Sequence, residues 1–386
     1  MGAGARTPRT QERACHGSGH GAVRRHLPLA ALQSLRALVV VTRYLGDVLL
    51  ATPLARSLAA AGYEVEWLVA PGTEAMVADQ PFACACHTLI PSWQGLRRSV
   101  RSLRGRFDLA CVLTGSDRAT AVARLVARQV CALLPGRWQD GWKRRLVTRW
   151  SGYSPHSHMV SYCADLCRLA GVTPLTHAPA LDWNNDDLAA VRDRLGWPEQ
   201  QPYAQLHPFA RWSYKLWPVA QWRRLMGRLH DAGLKIVITA GPDEQGAAEA
   251  LVRESGLPRD AVSIAAGRFR WRQLAALSAN AALYVGLDTA TTHLAAGCGA
   301  PTVALYGPTD PRIWGPWPAG WNHGRSPWRP AAGGLQRAGN VTLIQGEAGC
   351  LPCQKEGCGH HRASRSDCLD RLSTDRVWRQ CARRLA

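Results

Sequence analysis

Four short segments carry side chains able to move a proton or hold a phosphate. In "TRYLGDVLLATP" one carboxylate, Asp47, stands directly after Gly46, between an apolar run and a helical pattern. A carboxylate there either caps the helix or accepts a proton in a reaction. In "HPFARWSYKLWP" Arg211 and Lys215 sit among large aromatics, and Lys215 is one of only four lysines (with Lys143, Lys235 and Lys355) among 47 basic residues. A compact ammonium is a good point-charge partner for a diphosphate; the alternative is a solvated surface loop. In "TAGPDEQ" Asp243 and Glu244 follow a glycine turn. One suits helix capping, and the other suits ribose hydroxyls, as acids after strand-to-helix turns do in dinucleotide folds. In "LYVGLDTATTHLAAGCGAPTVALYGPTDP" Asp288 ends a strand, and Thr289, Thr291 and Thr292 open the next helix. Free N–H groups and the positive dipole end there favour phosphate. Asp288, acceptor-only when ionised, suits sugar hydroxyls, and His293 lies one turn after Thr289 on the same helix face. Taken singly, Asp288, Thr289 and His293 are better explained by capping or packing, whereas for Arg211 and Lys215 the functional reading is favoured.

The elements that must position them alternate. From Ala37 the reading is strand "ALVVVTRY", helix "DVLLATPLARSLAAAG", strand "EVEWLVA", a basic helix "QGLRRSVRSLRGR", strand "FDLACVLT" and helix "RATAVARLVARQV". Residues 138–202 are less regular, with helical stretches at "HMVSYCADLCRLAGV" and "NDDLAAVRDRLG" and an inter-domain connection near 182–202. Alternation resumes with strand "YAQLHPFA", helix "VAQWRRLMGRLHDAG", strand "KIVITAG", helices "DEQGAAEALVRESG" and "RWRQLAALSANA", and strand "LYVGLD". Alternation of this kind builds parallel sheets with helical crossovers, so the expected fold is α/β, two doubly wound domains in tandem. Ligands bind such sheets at the carboxyl ends of the strands, which puts the site in a cleft between the two. The expected division is a disordered leader or misassigned start over 1–34, an N-terminal domain over 35–190, a C-terminal domain over 191–345, and a Cys-rich tail with a final helix over 346–386.

Composition narrows the partners. The formal charge of +19 over 386 residues points to an anionic partner, although a sequence so biased towards arginine weakens that inference. No short basic stripe interleaves with aromatics, so nucleic acid is not expected. No GxGxxG or P-loop follows a strand, which leaves nicotinamide and Walker-type readings without support. The apolar run near Leu38 is broken by Arg36, Arg43 and Asp47, too short for a membrane span, and a cytoplasmic protein is expected. Of 13 cysteines, most stand singly in apolar contexts and read as small core residues. Cys350, Cys353, Cys358 and Cys368 cluster near the end, with His360 and His361 nearby. Reduced thiols packed against the N-terminal domain are the expectation for this tail; the alternative is a structural zinc held by those four cysteines.

The order and spacing of "TRYLGDVLLATPLARSL", "HPFARWSYKLWP", "GPDEQ" and the long Asp288 segment resemble glycosyltransferase family 9, the ADP-heptose:lipopolysaccharide heptosyltransferases, from about Ala37 onward. The "HP..RW..K.WP" form is most like the heptosyltransferase III branch. The resemblance implies a GT-B fold, two Rossmann-like domains with the acceptor on the first and the nucleotide sugar on the second. It implies inverting transfer of L-glycero-D-manno-heptose from ADP-heptose to the inner core of lipopolysaccharide, with no cofactor and no catalytic metal. By motif, Asp47 corresponds to the general base and Lys215 to a donor-phosphate ligand. Arg211, Glu244, Asp288, Thr289 and His293 fall on donor-binding positions, and Arg43 and Gly46 on the acceptor side. Ala290 and Phe209 depart from the glycines many members carry, and the methyl at 290 narrows the approach to the diphosphate. A monomer is expected, with basic helices such as 97–106 facing the acceptor or the anionic inner membrane. Two alternatives stand beside this reading: a family 9 transferase using another nucleotide sugar or glycan, and a non-catalytic nucleotide- or glycan-binding protein on the same fold.

Overall fold

The computed structural model describes residues 34–386 apart from 137, 155, 199 and 330–333. The leader expected over 1–34 lies outside them except for Ser34. The N-terminal half is built on β1 (Arg36–Val41), β2 (Glu64–Val69), β3 (Ala85–Thr88), β4 (Phe107–Val112), β5 (Ala127–Leu134) and β6 (Arg149–Gly152). They form one parallel sheet in the order β3-β2-β1-β4-β5-β6. Five helices connect or cover these strands: α1 (Leu45–Leu50), α2 (Thr52–Ala60), α3 (Trp93–Leu103), α4 (Asp117–Val126) and α5 (Met159–Ala170). Strand β1, "RALVVV", is apolar and buried on both faces because helices cover both.

After α6 (Asn185–Leu195), the second sheet collects β7 (Tyr203–His207), β8 (Lys235–Ala240), β9 (Val262–Ala266), β10 (Leu283–Leu287), β11 (Thr302–Tyr306), β12 (Leu335–Ala338) and β13 (Val341–Gln345). Their order is β12-β13-β11-β10-β7-β8-β9, parallel except for β12. The helices here are α7 (Val219–Asp231), α8 (Gln245–Ser255), α9 (Trp271–Ala279), α10 (Ala290–Gly297), α11 (Pro311–Trp314), α12 (Asp367–Asp370) and α13 (Thr374–Leu385). Each sheet reverses its strand order beside its first strand: β1 lies between β2 and β4, and β7 between β8 and β10. Such reversal points open a crevice at the strand ends. This is the doubly wound α/β arrangement of a GT-B fold. Among the described residues no helix is long and apolar enough to cross a membrane.

Local chemistry redraws several boundaries. The helix expected over 47–62 is two helices, because Pro53 has no N–H to donate and the Thr52 hydroxyl takes the Leu49 carbonyl instead, at 2.8 Å. The helix expected over 118–130 ends at Val126, and the chain passes straight into β5 at Ala127. The tail does not pack on the N-terminal half. Leu351, Cys368, Leu369, Val377 and Cys381 join the core around β7, β10 and α7, and the Trp217 indole donates to Leu372 O at 2.8 Å. The reason is proximity: the tail leaves β13, inside the second sheet, and its apolar stripe meets the nearest uncovered apolar surface.

The halves are tied together behind the crevice. His158, at the start of α5, contacts Gly315 O at 2.7 Å, and Arg272 of α9 reaches both Asp187 and Asp79 O at 3.0 Å. Gly297, the last residue of α10, packs so closely on the connecting segment that a Cβ there would collide with the Pro179 carbonyl. We therefore predict that Gly297→Ala lowers unfolding free energy by about 1–3 kcal/mol, the usual cost of overpacking; an unchanged urea midpoint would show that this junction is loose.

Candidate active site

The loops that follow β1, β7 and β10 converge. Register pairs His207 with Gly286, so the ends of β7 and β10 lie side by side. Lys215 arrives on the short turn Ser213–Lys215, and Asp288 stands just past β10. Their side chains form an ion pair, Lys215 Nζ to Asp288 Oδ2, at 2.6 Å. The Thr309 hydroxyl donates to the same carboxylate oxygen at 2.6 Å. Burial pushes the Asp288 carboxyl up, but Lys215 and the Thr309 hydroxyl outweigh it and hold the group below its ordinary value. Burial likewise pushes Lys215 down, and Asp288 overrides it, so the ammonium stays charged.

Across the crevice, Asp47 is the third residue of α1 and 4% exposed. Its Oδ2 accepts the Tyr44 N–H at 3.2 Å and lies 3.8 Å from Arg43 Nε. Its Oδ1 is buried with no hydrogen-bond partner. Desolvation dominates here, and the carboxyl stays above its ordinary value despite Arg43, the Tyr44 N–H and Lys215. Capping thus engages one oxygen and leaves the other unmatched. Gly46 beside it faces open space, since a Cβ there would meet no protein atom within 4 Å.

These groups line one cavity of about 1040 Å³ between the halves, at the upper end for small-molecule sites. Arg43, Gly46 and Asp47 come from one side, and Arg211, Lys215, Glu244, Asp288, Thr289 and His293 from the other. These nine residues therefore share a single space. Their roles differ in detail. Glu244 Oε2 accepts the Gly241 N–H at 2.7 Å, so it is Glu244 that closes the turn, and Asp243 is exposed away from the cavity. Thr289 precedes α10 and shares a hydroxyl contact with Thr291 at 2.9 Å. His293 is buried, its Nδ1 lacks a partner, and burial lowers its pKa to about 4, so it is neutral at pH 7. Arg211 lies over the rings of Tyr44 (5.2 Å) and Trp212 (4.8 Å), joining the two sides.

The reading from sequence alone missed Tyr44, Thr309 and His207, whose Nδ1 contacts the Thr239 hydroxyl at 3.1 Å. It also missed residues 354–356, which reach the cavity from the tail. Thr309 and His207 lay inside quoted motifs, but only tertiary contact gives them partners. Pro242, Gly267, Phe269, Trp271 and Leu274 add apolar and aromatic surface to the cavity lining. Among the described residues no group of three or more His, Cys, Asp or Glu is placed to hold a metal.

The family model of glycosyltransferase family 9 (heptosyltransferase) matches residues 96–332. Lipopolysaccharide heptosyltransferase 3 of Escherichia coli strain K12 is 26% identical over 292 residues, 71% of this chain and 83% of that protein. The fold is similar to that of E. coli ADP-heptose lipopolysaccharide heptosyltransferase II, with a TM-score of 0.69 and 17% identity over 91% of this chain and 98% of that one. It is also similar to an E. coli heptosyltransferase solved with ADP-2-deoxy-2-fluoro heptose, with a TM-score of 0.62 and 18% identity over 91% and 100%.

Removing either member of the Lys215–Asp288 pair strands a desolvated charge. Lys215→Ala and Asp288→Ala are each predicted to lower stability by about 3 kcal/mol, and the double variant by clearly less than their sum. Urea unfolding of all four proteins checks this, and strict additivity would show that the pair is not an energetic unit.

Proposed function

The chain belongs to glycosyltransferase family 9, the heptosyltransferases, and from that premise we propose that it moves L-glycero-D-manno-heptose from ADP-heptose to a sugar of the lipopolysaccharide inner core. The relatives' names support this donor and acceptor, and the likeness to heptosyltransferase 3 favours that branch. The single observation that carries the reading is the opposition of two unlike sites across one cavity: an under-partnered, hard-to-ionise carboxylate at Asp47, and a charged Lys215–Asp288 pair beside a helix start.

In the proposed reaction the nucleotide-sugar diphosphate lies against Lys215 and the free N–H groups at the start of α10, with Asp288 on sugar hydroxyls and Glu244 near the ribose. The acceptor approaches over Gly46 and Arg43. Its hydroxyl gives its proton to Asp47 as its oxygen bonds to the anomeric carbon. The bond from that carbon to the phosphate oxygen breaks, and ADP leaves with the electron pair. Attack opposite the leaving group inverts the anomeric centre. Lys215 offsets the growing negative charge on the leaving diphosphate, and a base with a raised pKa accepts the proton more readily. His293, neutral and unpartnered at Nδ1, supplies a hydrogen bond without adding charge. No metal is needed, because the cation and helix terminus do the electrostatic work.

The reading separates catalysis from capping. A carboxyl whose pKa is raised on folding holds its proton more tightly folded than unfolded. Stability is therefore lost as pH rises from the unfolded towards the folded value, and at neutral pH the ionised Asp47 is a net cost. Asp47→Asn removes that cost and the base together. We predict a loss of transfer of roughly 10²–10⁴-fold with a Tm equal to or above wild type; wild-type turnover would remove Asp47 from the mechanism. A thermal-shift screen in which ADP, but not UDP or GDP, stabilises the protein separates this donor from other nucleotide sugars, and donor turnover with acceptor separates an enzyme from a binding protein.

We also place the transfer at the cytoplasmic face of the inner membrane, with α3 as the contact. Its Trp93 is 66% exposed and stacked with Arg97, and Arg98 and Arg101 are exposed. Arg106 is not part of that face, being turned back to Glu66 at 3.3 Å. Co-sedimentation with anionic but not neutral vesicles, weakened by salt and by Arg97→Glu, is the expected result; binding insensitive to lipid charge would remove α3 from this role.

A further inference from the structure

One wall of the cavity has no part in the reaction described above. Residues 354–356 reach it from the tail beyond β13, and the loop that carries them is built to hold that position. Leu351 and Cys368 anchor its two ends in the C-terminal core. The Gln354 N–H donates to Pro308 O at 2.8 Å, next to the Thr309 that contacts Asp288. The Ser366 hydroxyl donates to Tyr214 O at 2.7 Å, the Ser213 N–H donates to Arg362 O at 3.2 Å, and the Arg362 guanidinium lies over Trp212 at 4.6 Å. Within the loop, the Ser364 hydroxyl donates to Glu356 O at 2.7 Å and Arg362 pairs with Glu356 at 3.0 Å. Gln354 sits at φ 55°, a left-handed conformation that a non-glycine residue keeps only where its surroundings demand it.

The loop also alters the charge inventory of the mouth. Arg43 faces Asp47 and Lys215 faces Asp288. Arg211 lies over the Tyr44 and Trp212 rings, and Glu356 is engaged by Arg362. Lys355 is exposed on the cavity rim, and its ammonium makes no ion pair or hydrogen bond among the described residues. It is therefore a free cation held at a defined place.

We propose that the 351–368 loop is a wall of the transfer site and that Lys355 determines acceptor specificity by pairing with an anionic group, phosphate or carboxylate, on the acceptor glycan. The inference rests on the heptosyltransferase reading above. The acceptor is favoured over the donor for two reasons. The diphosphate already has Lys215 and the α10 terminus at the buried end, whereas Lys355 stands at the exposed rim where the second substrate enters. The loop also abuts the Trp212–Arg211–Tyr44 stack, which leads to the side carrying Asp47. A single exposed ammonium reads charge rather than planar geometry, so it distinguishes an acceptor that bears the anion from one that lacks it.

The test is steady-state kinetics on the full chain with ADP-heptose and truncated lipopolysaccharide acceptors, native and enzymatically dephosphorylated, for wild type, Lys355→Ala and Lys355→Arg. In Lys355→Ala the acceptor KM should rise roughly five- to tenfold, the scale of one charge-assisted contact, with kcat, donor KM and Tm unchanged. Lys355→Arg should restore most of the effect, and high salt should shrink it. If the anion is a phosphate, wild type and Lys355→Ala converge on the dephosphorylated acceptor; if it is a carboxylate, the difference persists there. A rise in donor KM instead would assign the cation to the diphosphate and overturn the proposal, as would an unchanged acceptor KM. No turnover by the wild-type protein would overturn the functional reading and this inference with it, whereas normal wild-type turnover with an indifferent Lys355→Ala overturns the inference alone.

Discussion

The Lys215–Asp288 ion pair is the constraint on which the rest of the site depends. Two ionised groups are taken largely out of water at the ends of β7 and β10, and each is tolerated there only because the other is 2.6 Å away. That demand explains the neighbourhood. β7 and β10 are adjacent at the reversal point of their sheet, so loops far apart in sequence meet. Thr309 supplies a further donor to Asp288, and His293 beside it is kept neutral by burial. A substrate that places a diphosphate near Lys215 and hydroxyls near Asp288 offers each charge a second partner without separating the first pair.

The opposite side is arranged the other way. Asp47 stands past β1, at the matching reversal point of the first sheet, and is given too few partners for its burial. One sheet's crevice stabilises charge and the other withholds stabilisation. Lys215 also acts on Asp47 across the cavity, lowering the pKa that burial raises. In the reaction proposed above, the base would therefore sense the same cation that faces the leaving group, coupling the two ends electrostatically.

Much of this was legible in the residues. Strand-helix alternation with buried apolar runs marks β1, β2, β4, β7, β8 and β10, and Asp47, Lys215 and Asp288 were visible as polar side chains at the ends of those runs. β5 was hidden because "ARQVCALL" continues the α4 pattern without a turn residue between them. β9 and β13 are as short as β7 and β10, five residues each, but no motif marks their ends, and short runs carry little period. The tail was placed on the wrong half because cysteine spacing says what thiols can bind but not which surface covers them. The approach of residues 354–356 to the cavity depends on contacts more than 100 residues apart in sequence, such as that of Ser366 with Tyr214, and no local pattern encodes them.

The central claim is that Asp47 is a base whose proton affinity is set by burial against the pull of Lys215. Its most direct test is the pH dependence of kcat/KM for the acceptor at saturating ADP-heptose, in wild type and in Lys215→Ala. The account predicts a single acid limb with a midpoint above the ordinary aspartate value, moving to still higher pH when Lys215 is removed. A profile that is flat through the acid range, or a limb whose midpoint does not respond to Lys215, would contradict it.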